Sequence, residues 1–255
     1  MTREISFDVE VPGTPEEVWD AIATSRGISG WFAPTEISGD AMTQHHGNGF
    51  DLTSRITATE RPARFAYEEE FQPGADAEPA LVATEFSVSA RSGGTCVVRV
   101  VQSGFGTGDA WERAIESFMT GWPSALDDLR LYRTHFGGEP VAAFATGARL
   151  DAPRESAWPA LKAALGLPEQ LAVGDRIQTQ GTPPYGGTVA RVDDSSISLV
   201  LDAPGRGLGY LGAGGPTGET FAFVRARLFG DGAPAVAARE EAAWENWLAN
   251  APATA

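Results

Sequence analysis

The sequence predicts an α+β protein in which an antiparallel sheet curves around a long helix, built twice in tandem. Three observations predict it. Residues 108–133 place Trp111, Ala114, Ile115, Phe118, Met119, Trp122, Ala125, Leu126 and Leu129 at spacings of three and four, one apolar stripe with charged residues opposite. Residues 50–60, 63–71, 81–90 and 95–103 read as strands joined by short turns, which implies an antiparallel meander with helices on one face. The same order of strand, helix, strands and final helix recurs in shorter form after residue 139.

Each element has a local cause. Residues 3–11 alternate, with Ile5, Phe7, Val9 and Val11 on one face of a half-buried strand. Thr14, Pro15 and Glu17 form a capping box with proline at the first helical position. Val18, Trp19, Ile22 and Ala23 make the buried face of that helix, and Gly27 ends it. Residues 30–34 form an aromatic turn closed by Pro34. Pro62, Pro73-Gly74 and Ser92-Gly93-Gly94 separate the strands. Thr107 or Asp109 caps the long helix, and Gly137-Gly138 stops it. Pro123 removes a backbone donor, which predicts a kink or a split near Gly121.

In the second half, residues 140–150 are strand-like. A helix with Trp158, Leu161, Ala164 and Leu165 follows, with Trp158 answering Trp19 in the core. Strand and turn sequence fills 171–229. A last helix over about 234–250 carries Val236, Arg239, Ala243, Trp244, Trp247 and Leu248, and Trp244 with Leu248 repeats the spacing of Trp122 with Leu126. The predicted domains are 1–136 and 139–255, the second shorter and richer in glycine. The glycine-rich stretch 205–215 lacks a GKS/T and does not lead from a strand into a helix, so it reads as a flexible turn or an irregular edge strand rather than a nucleotide loop.

Composition narrows the function. Hydrophobic residues are 42% and charged residues 21%, ordinary for a globular protein. The net charge of -15 argues against nucleic acid and against anionic membrane surfaces as partners. Cys96 is the only cysteine, so an intrachain disulfide and a cysteine metal cluster are excluded. The first residues form a strand pattern rather than a leader, and no run approaches 18 apolar residues, so a cytoplasmic location is expected.

Four pieces carry a family resemblance: Pro15-Glu16-Glu17-Val18-Trp19-Asp20-Ala21-Ile22, Trp31-Phe32, Gln102-Ser103-Gly104-Phe105, and Gly121-Trp122-Pro123-Ser124-Ala125-Leu126-Asp127-Asp128-Leu129. Through them residues 3–135 resemble the SRPBCC superfamily, the START-like or Bet v-like helix-grip fold, in the branch related to the activator of the heat-shock-protein-90 ATPase. The second half resembles the same fold through Ala152-Pro153-Arg154-Glu155 with Trp158, the strand run and the terminal helix. The resemblance implies a sheet gripping a C-terminal helix over an apolar cavity. That superfamily includes ligand carriers, polyketide cyclases and dehydratases, and co-chaperones, so fold alone does not decide function.

The candidate ligand-binding residues are Trp31, Phe32, Phe50, Phe65, Tyr67, Glu69, Phe86, Gln102, Phe118 and Trp122. Alternation puts Phe65, Tyr67, Glu69 and Phe71 on one face of a strand. If that face lines the cavity, Glu69 is a carboxyl among aromatics, with a raised pKa suited to acid–base work; the alternative is a strand end where it reaches solvent. Cys96, Val98, Val100 and Gln102 share another face, and turned inward they make Gln102 a buried amide in need of a partner. Cys96 reads as a small packed residue. His45 and His46, in a loop, point apart if extended and find no third ligand at metal-binding spacing. No catalytic residue, metal or cofactor is assigned. The expected function is non-catalytic binding of a small hydrophobic or aromatic ligand. The alternatives are a cyclase- or dehydratase-type enzyme and a co-chaperone-like activator acting through its surface, with a chaperone or a second copy of the chain as protein partner.

Overall fold

The computed structural model describes residues 3–46, 51–214 and 219–250. The chain divides into two units, Met1–Gly138 and Glu139–Ala255. Each is α+β, an antiparallel sheet with a long C-terminal helix.

The first unit contains β1 (Glu4–Pro12), α1 (Pro15–Ala23), α2 (Ser25–Ser29), β2 (Thr35–Ser38), β3 (Ala41–His45), β4 (Asp51–Glu60), β5 (Arg64–Phe71), β6 (Ala80–Ala90), β7 (Thr95–Ser103) and α3 (Asp109–His135). Its sheet order is β1-β7-β6-β5-β4-β3-β2. The meander runs in sequence order except that β1 closes antiparallel on β7, with Val9 opposite Val98. The capping box forms: Thr14 Oγ1 accepts from the Glu17 amide at 3.3 Å, and the Thr14 amide donates to Glu17 Oε2 at 2.9 Å. At Gly27 a Cβ would stand 2.1 Å from the Asp20 carbonyl oxygen, so α2 can fold back on α1 only over a glycine. Trp31 is then buried, its indole N–H donating to the Ala21 carbonyl at 2.9 Å.

The hairpin β2–β3 was not anticipated. It places Met42 and Gln44 on the buried face and ends at His45, so the histidine pair stands at a strand end rather than in a free loop. The proposed split of the long helix does not occur: α3 runs unbroken for 27 residues with Pro123 inside. The carbonyl that Pro123 leaves without a donor is that of Met119, on an exposed stretch where water can serve it. Neither Thr107 nor Asp109 caps α3; the cap is Gly108, at φ 99° and with no side-chain bond. The helix is held by its buried face, Trp111, Ile115, Trp122, Leu126, Leu129 and Tyr132. Each such side chain is worth about 1.5–3 kcal/mol of apolar burial. Trp19 is half-buried rather than core: its N–H donates to the Arg64 carbonyl at 3.3 Å and the Arg61 guanidinium lies 5.5 Å over its ring.

The second unit contains β8 (Val141–Leu150), α4 (Arg154–Ala164), β9 (Arg176–Gln178), β10 (Gly186–Asp193), β11 (Ser196–Ala203), β12 (Gly207–Gly214), β13 (Thr220–Phe229) and α5 (Ala233–Asn250), with sheet order β8-β13-β12-β11-β10-β9. The glycine-rich stretch is not a turn or an edge. It is β12, paired on both sides, with β11 and β13. One glycine, Gly209, makes room for a ring. Tyr185 is fully buried, and a Cβ on Gly209 would stand 2.4 Å from its hydroxyl. That hydroxyl donates to the Arg225 carbonyl and accepts from the Tyr210 amide, so it is not free to yield. Trp158 lies in this core, and Trp244 meets Tyr185 edge to face at 5.7 Å.

Gly209→Ala is expected to destabilise the protein by about 1–3 kcal/mol through overpacking against a ring held at its far end. Gly214→Ala, where a Cβ meets nothing within 4 Å, is expected to be neutral. Urea denaturation followed by circular dichroism compares the two; equal midpoints would remove the assigned role of Gly209.

Candidate functional site

The inner face of the first sheet carries a row of buried polar side chains. Strand alternation turns Phe65, Tyr67 and Glu69 of β5 inward and leaves Glu68 and Glu70 on the other face. Pairing register then sets Tyr67 opposite Thr84, and Thr84 opposite Gln102. Gln44 on β3 and Ser54 on β4 extend the buried set.

Hydrogen bonds connect its members. Ser54 Oγ donates to Glu69 Oε2 at 2.8 Å. Gln102 Nε2 donates to Thr84 Oγ1 at 3.3 Å, and Trp122 Nε1, reaching in from α3, donates to Gln102 Oε1 at 3.2 Å. Tyr67 stands opposite Thr84 across the β5–β6 pair. Glu69 is only 7% exposed. Burial raises its pKa above the usual carboxylate range, and the Ser54 bond opposes that only in part. Burial likewise pushes the Tyr67 phenol up, and the neighbouring Glu69 pushes the same way. In its protonated form a carboxyl is a hydrogen-bond donor as well as an acceptor.

Aromatic rings pack beside this row. Trp31 meets Phe86 edge to face at 6.3 Å, Phe86 meets Trp122 at 5.7 Å, and Phe32 stacks on Trp122 at 5.9 Å and 9°. Phe65 lies 6.0 Å from Tyr67. Trp31, Phe32, Phe86, Gln102 and Trp122 thus come together, with the Phe65–Tyr67–Glu69 strand beside them. Phe118 does not join them. It packs one helical turn away, with Phe71 at 5.4 Å and Phe105 at 5.9 Å, and Trp111 backs both. Phe50 lies outside the described residues.

This second cluster borders a cleft of about 270 Å³ between Phe71 and Pro73 on one side and Ala110, Arg113, Ala114, Ser117 and Phe118 of α3 on the other. Sequence reasoning missed the cleft, along with Ser54 and Thr84. Thr84 was legible: it is the polar member of an otherwise apolar face, Val82, Phe86 and Val88.

The remaining candidates are occupied elsewhere. His45 Nδ1 lies 2.9 Å from Asp51 Oδ1, and the His46 ring stands edge-on to Phe32 at 5.8 Å. Among the described residues no group of three or more His, Cys, Asp or Glu side chains could hold a metal ion. The Cys96 thiol is buried against the Gly13 carbonyl at 3.4 Å, and burial raises its pKa, which suits packing rather than nucleophilic attack.

The inner face of the second sheet differs. Leu201, Leu199, Ile197, Leu211, Val224 and Leu228 fill it, together with Tyr185 and Trp244. The buried Glu240 Oε2 and Trp244 Nε1 on α5 have no hydrogen-bond partner, a cost of about 1–3 kcal/mol each rather than a connected row. Among the described residues no helix of either unit is long and apolar enough to cross a membrane.

Residues 12–133 match the family model described as activator of Hsp90 ATPase homolog 1-like protein. No curated protein matches the chain. Among solved structures, the chain is similar to the di-domain ARO/CYC BexL from the BE-7585A biosynthetic pathway, at 18% identity and TM-score 0.47 over 99% of this chain and 96% of that one. It is similar to DynU16, a protein in the dynemicin biosynthetic locus, at 15% identity and TM-score 0.44 over 96% of each chain. It is also similar to the Aha1 dimer from Colwellia psychrerythraea, at 14% identity and TM-score 0.43 over 53% of this chain and 98% of that one.

The raised pKa of Glu69 makes the fold sensitive to pH. The folded state holds this proton more tightly than the unfolded chain, so the associated stability is complete below about pH 4.5 and is lost as pH rises through the folded-state value. Glu69→Gln keeps the shape and stays neutral. Its stability relative to the native protein is therefore expected to improve as pH rises from 5.5 to 8.5, a range above the isoelectric point of about 4.6. Each unit of pKa elevation corresponds to about 1.4 kcal/mol. Urea midpoints across that range test it; a difference that moves the other way would mean that the carboxylate is stabilised where it sits.

Proposed function

We propose, from a first unit whose residues 12–133 match the activator of Hsp90 ATPase homologue family, that this unit binds a small, predominantly aromatic ligand between its sheet and α3. Rings of Trp31, Phe32, Phe86 and Trp122 supply apolar contact. The polar row supplies hydrogen bonds at the ligand's polar atoms, with Glu69 as donor or acceptor. The observation that carries the reading is the row itself. Burying polar groups costs free energy, and a core selected for stability alone is better filled with apolar side chains, as the inner face of the second sheet is. In this reading the second unit has a structural role.

A second reading is favoured by Glu69 specifically. A buried carboxyl with a raised pKa, beside Tyr67 and hydrogen-bonded by Ser54, is suited to proton transfer in a cyclisation or dehydration of an aromatic precursor. Ligand binding is common to both readings; turnover separates them.

Binding of a neutral aromatic probe, methyl 2-naphthoate, is expected to quench the protein's tryptophan fluorescence. Trp122→Ala is expected to weaken binding at least tenfold, about 1.4 kcal/mol. Trp19→Phe, at a half-buried position on the outer corner of α1, is expected to leave it unchanged. No binding to the native protein, or equal binding by Trp122→Ala, would overturn the proposal. In a turnover assay on a co-purified ligand identified by native mass spectrometry, Glu69→Gln lowering the rate a hundredfold or more while binding holds within threefold would select the enzyme.

A further inference from the structure

The cleft at the start of α3 is bounded by the same two elements, β5 and α3, that carry Glu69 and Trp122. Phe71 follows Glu69 by two residues on the same strand face, and Phe118 precedes Trp122 by one helical turn. What distinguishes the cleft is Arg113. In a chain of net charge -15 the arginines of the first unit are mostly taken. Arg3, Arg55, Arg61, Arg64, Arg99, Arg130 and Arg133 all pair with carboxylates. Arg113 forms no ion pair among the described residues, is exposed, and lines the cleft beside Ser117. Its neighbour Glu112 is held by Arg3, which leaves Asp109 and Glu116 as the nearby acids in sequence on α3.

We propose that this cleft selects aromatic carboxylates, with the ring on Phe71 and Phe118 and the carboxylate on the Arg113 guanidinium. The proposal rests on the ligand-binding reading above and names the chemical class that reading leaves open. Three physical points converge on it. The half-buried rings of Phe71 and Phe118, 5.4 Å apart, offer stacking surface. The planar guanidinium fork matches a carboxylate with two parallel hydrogen bonds. The cleft lies along the first turns of α3, where the helix dipole favours negative charge. Orientation follows from the cation: Arg113 is the charged side chain lining the cleft, so the anionic end lies on it and the ring lies on Phe71 and Phe118. The cleft volume of about 270 Å³ suits one or two rings rather than a large ligand.

The test compares three probes on the full chain by isothermal titration calorimetry: 2-naphthoate, its methyl ester and 2-naphthylmethylamine. The native protein is expected to bind 2-naphthoate at least tenfold more tightly than the ester, and to lose part of that preference in 0.5 M salt. Arg113→Gln, at an exposed position, is expected to bring the two within about twofold. Arg113→Glu is expected to favour the amine. If the ester binds but 2-naphthoate is no tighter, or if Arg113→Gln keeps the preference, the carboxylate assignment is overturned and the binding reading stands. If none of the probes binds the native protein, both are overturned.

Discussion

The first unit depends on Trp122. On one α3 side chain converge the burial that holds the helix to the sheet, the ring stack with Phe32 and Phe86, and the N–H donated to Gln102. An indole is suited to this position because its large apolar body can be buried while one polar atom still finds a partner. Gln102 in turn is bonded at both ends of its amide, to Trp122 and to Thr84, so the helix and the inner strands fix one another's registers. A half-satisfied amide there would cost more than an apolar replacement, which makes the connected row a constraint on where α3 lies.

The two units share a plan and differ in what fills it. Both wrap an antiparallel sheet against a C-terminal helix. In the second, Gly209 of β12 gives up a side chain so that Tyr185 can press onto the sheet, and its hydroxyl is bound within the sheet by backbone groups. That solution closes the interior with one large ring. In the first, Thr84, Gln102, Tyr67 and Glu69 occupy inward positions that the second fills with leucine, valine and isoleucine. The difference is one of packing chemistry: hydrogen-bonded polar groups on an inner face restrict what can lie against them.

The polar row and the cleft differ in charge. The row holds Glu69, whose pKa burial raises; the cleft is lined by the guanidinium of Arg113. Long-range repulsion from a chain of net charge -15 disfavours anions in general, so an anion that binds must be held by a local cation. A carboxylate in contact with Arg113 would let one positive charge prevail over many distant, solvent-screened negative ones.

Much of the fold was legible in the sequence because period and punctuation act locally. The alternation of residues 64–71, the capping box at Thr14 and the apolar stripe of α3 each follow from nearest neighbours along the chain, and each formed. Inward burial of Gln102 and Cys96 was legible as one of two face choices. Other outcomes required the tertiary structure. Pro123 did not divide α3, because the carbonyl it frees belongs to the exposed Met119 while the opposite face is fixed by packing. The glycine-rich stretch reads in sequence as a flexible turn or an irregular edge strand, since nothing adjacent in sequence reveals Tyr185 lying against Gly209. Phe118 and Trp122 share a stripe, yet neighbouring strands assign one to the Phe71 cleft and the other to the Gln102 row. Periodicity states which residues face inward; only the pairing of strands decides what they meet there.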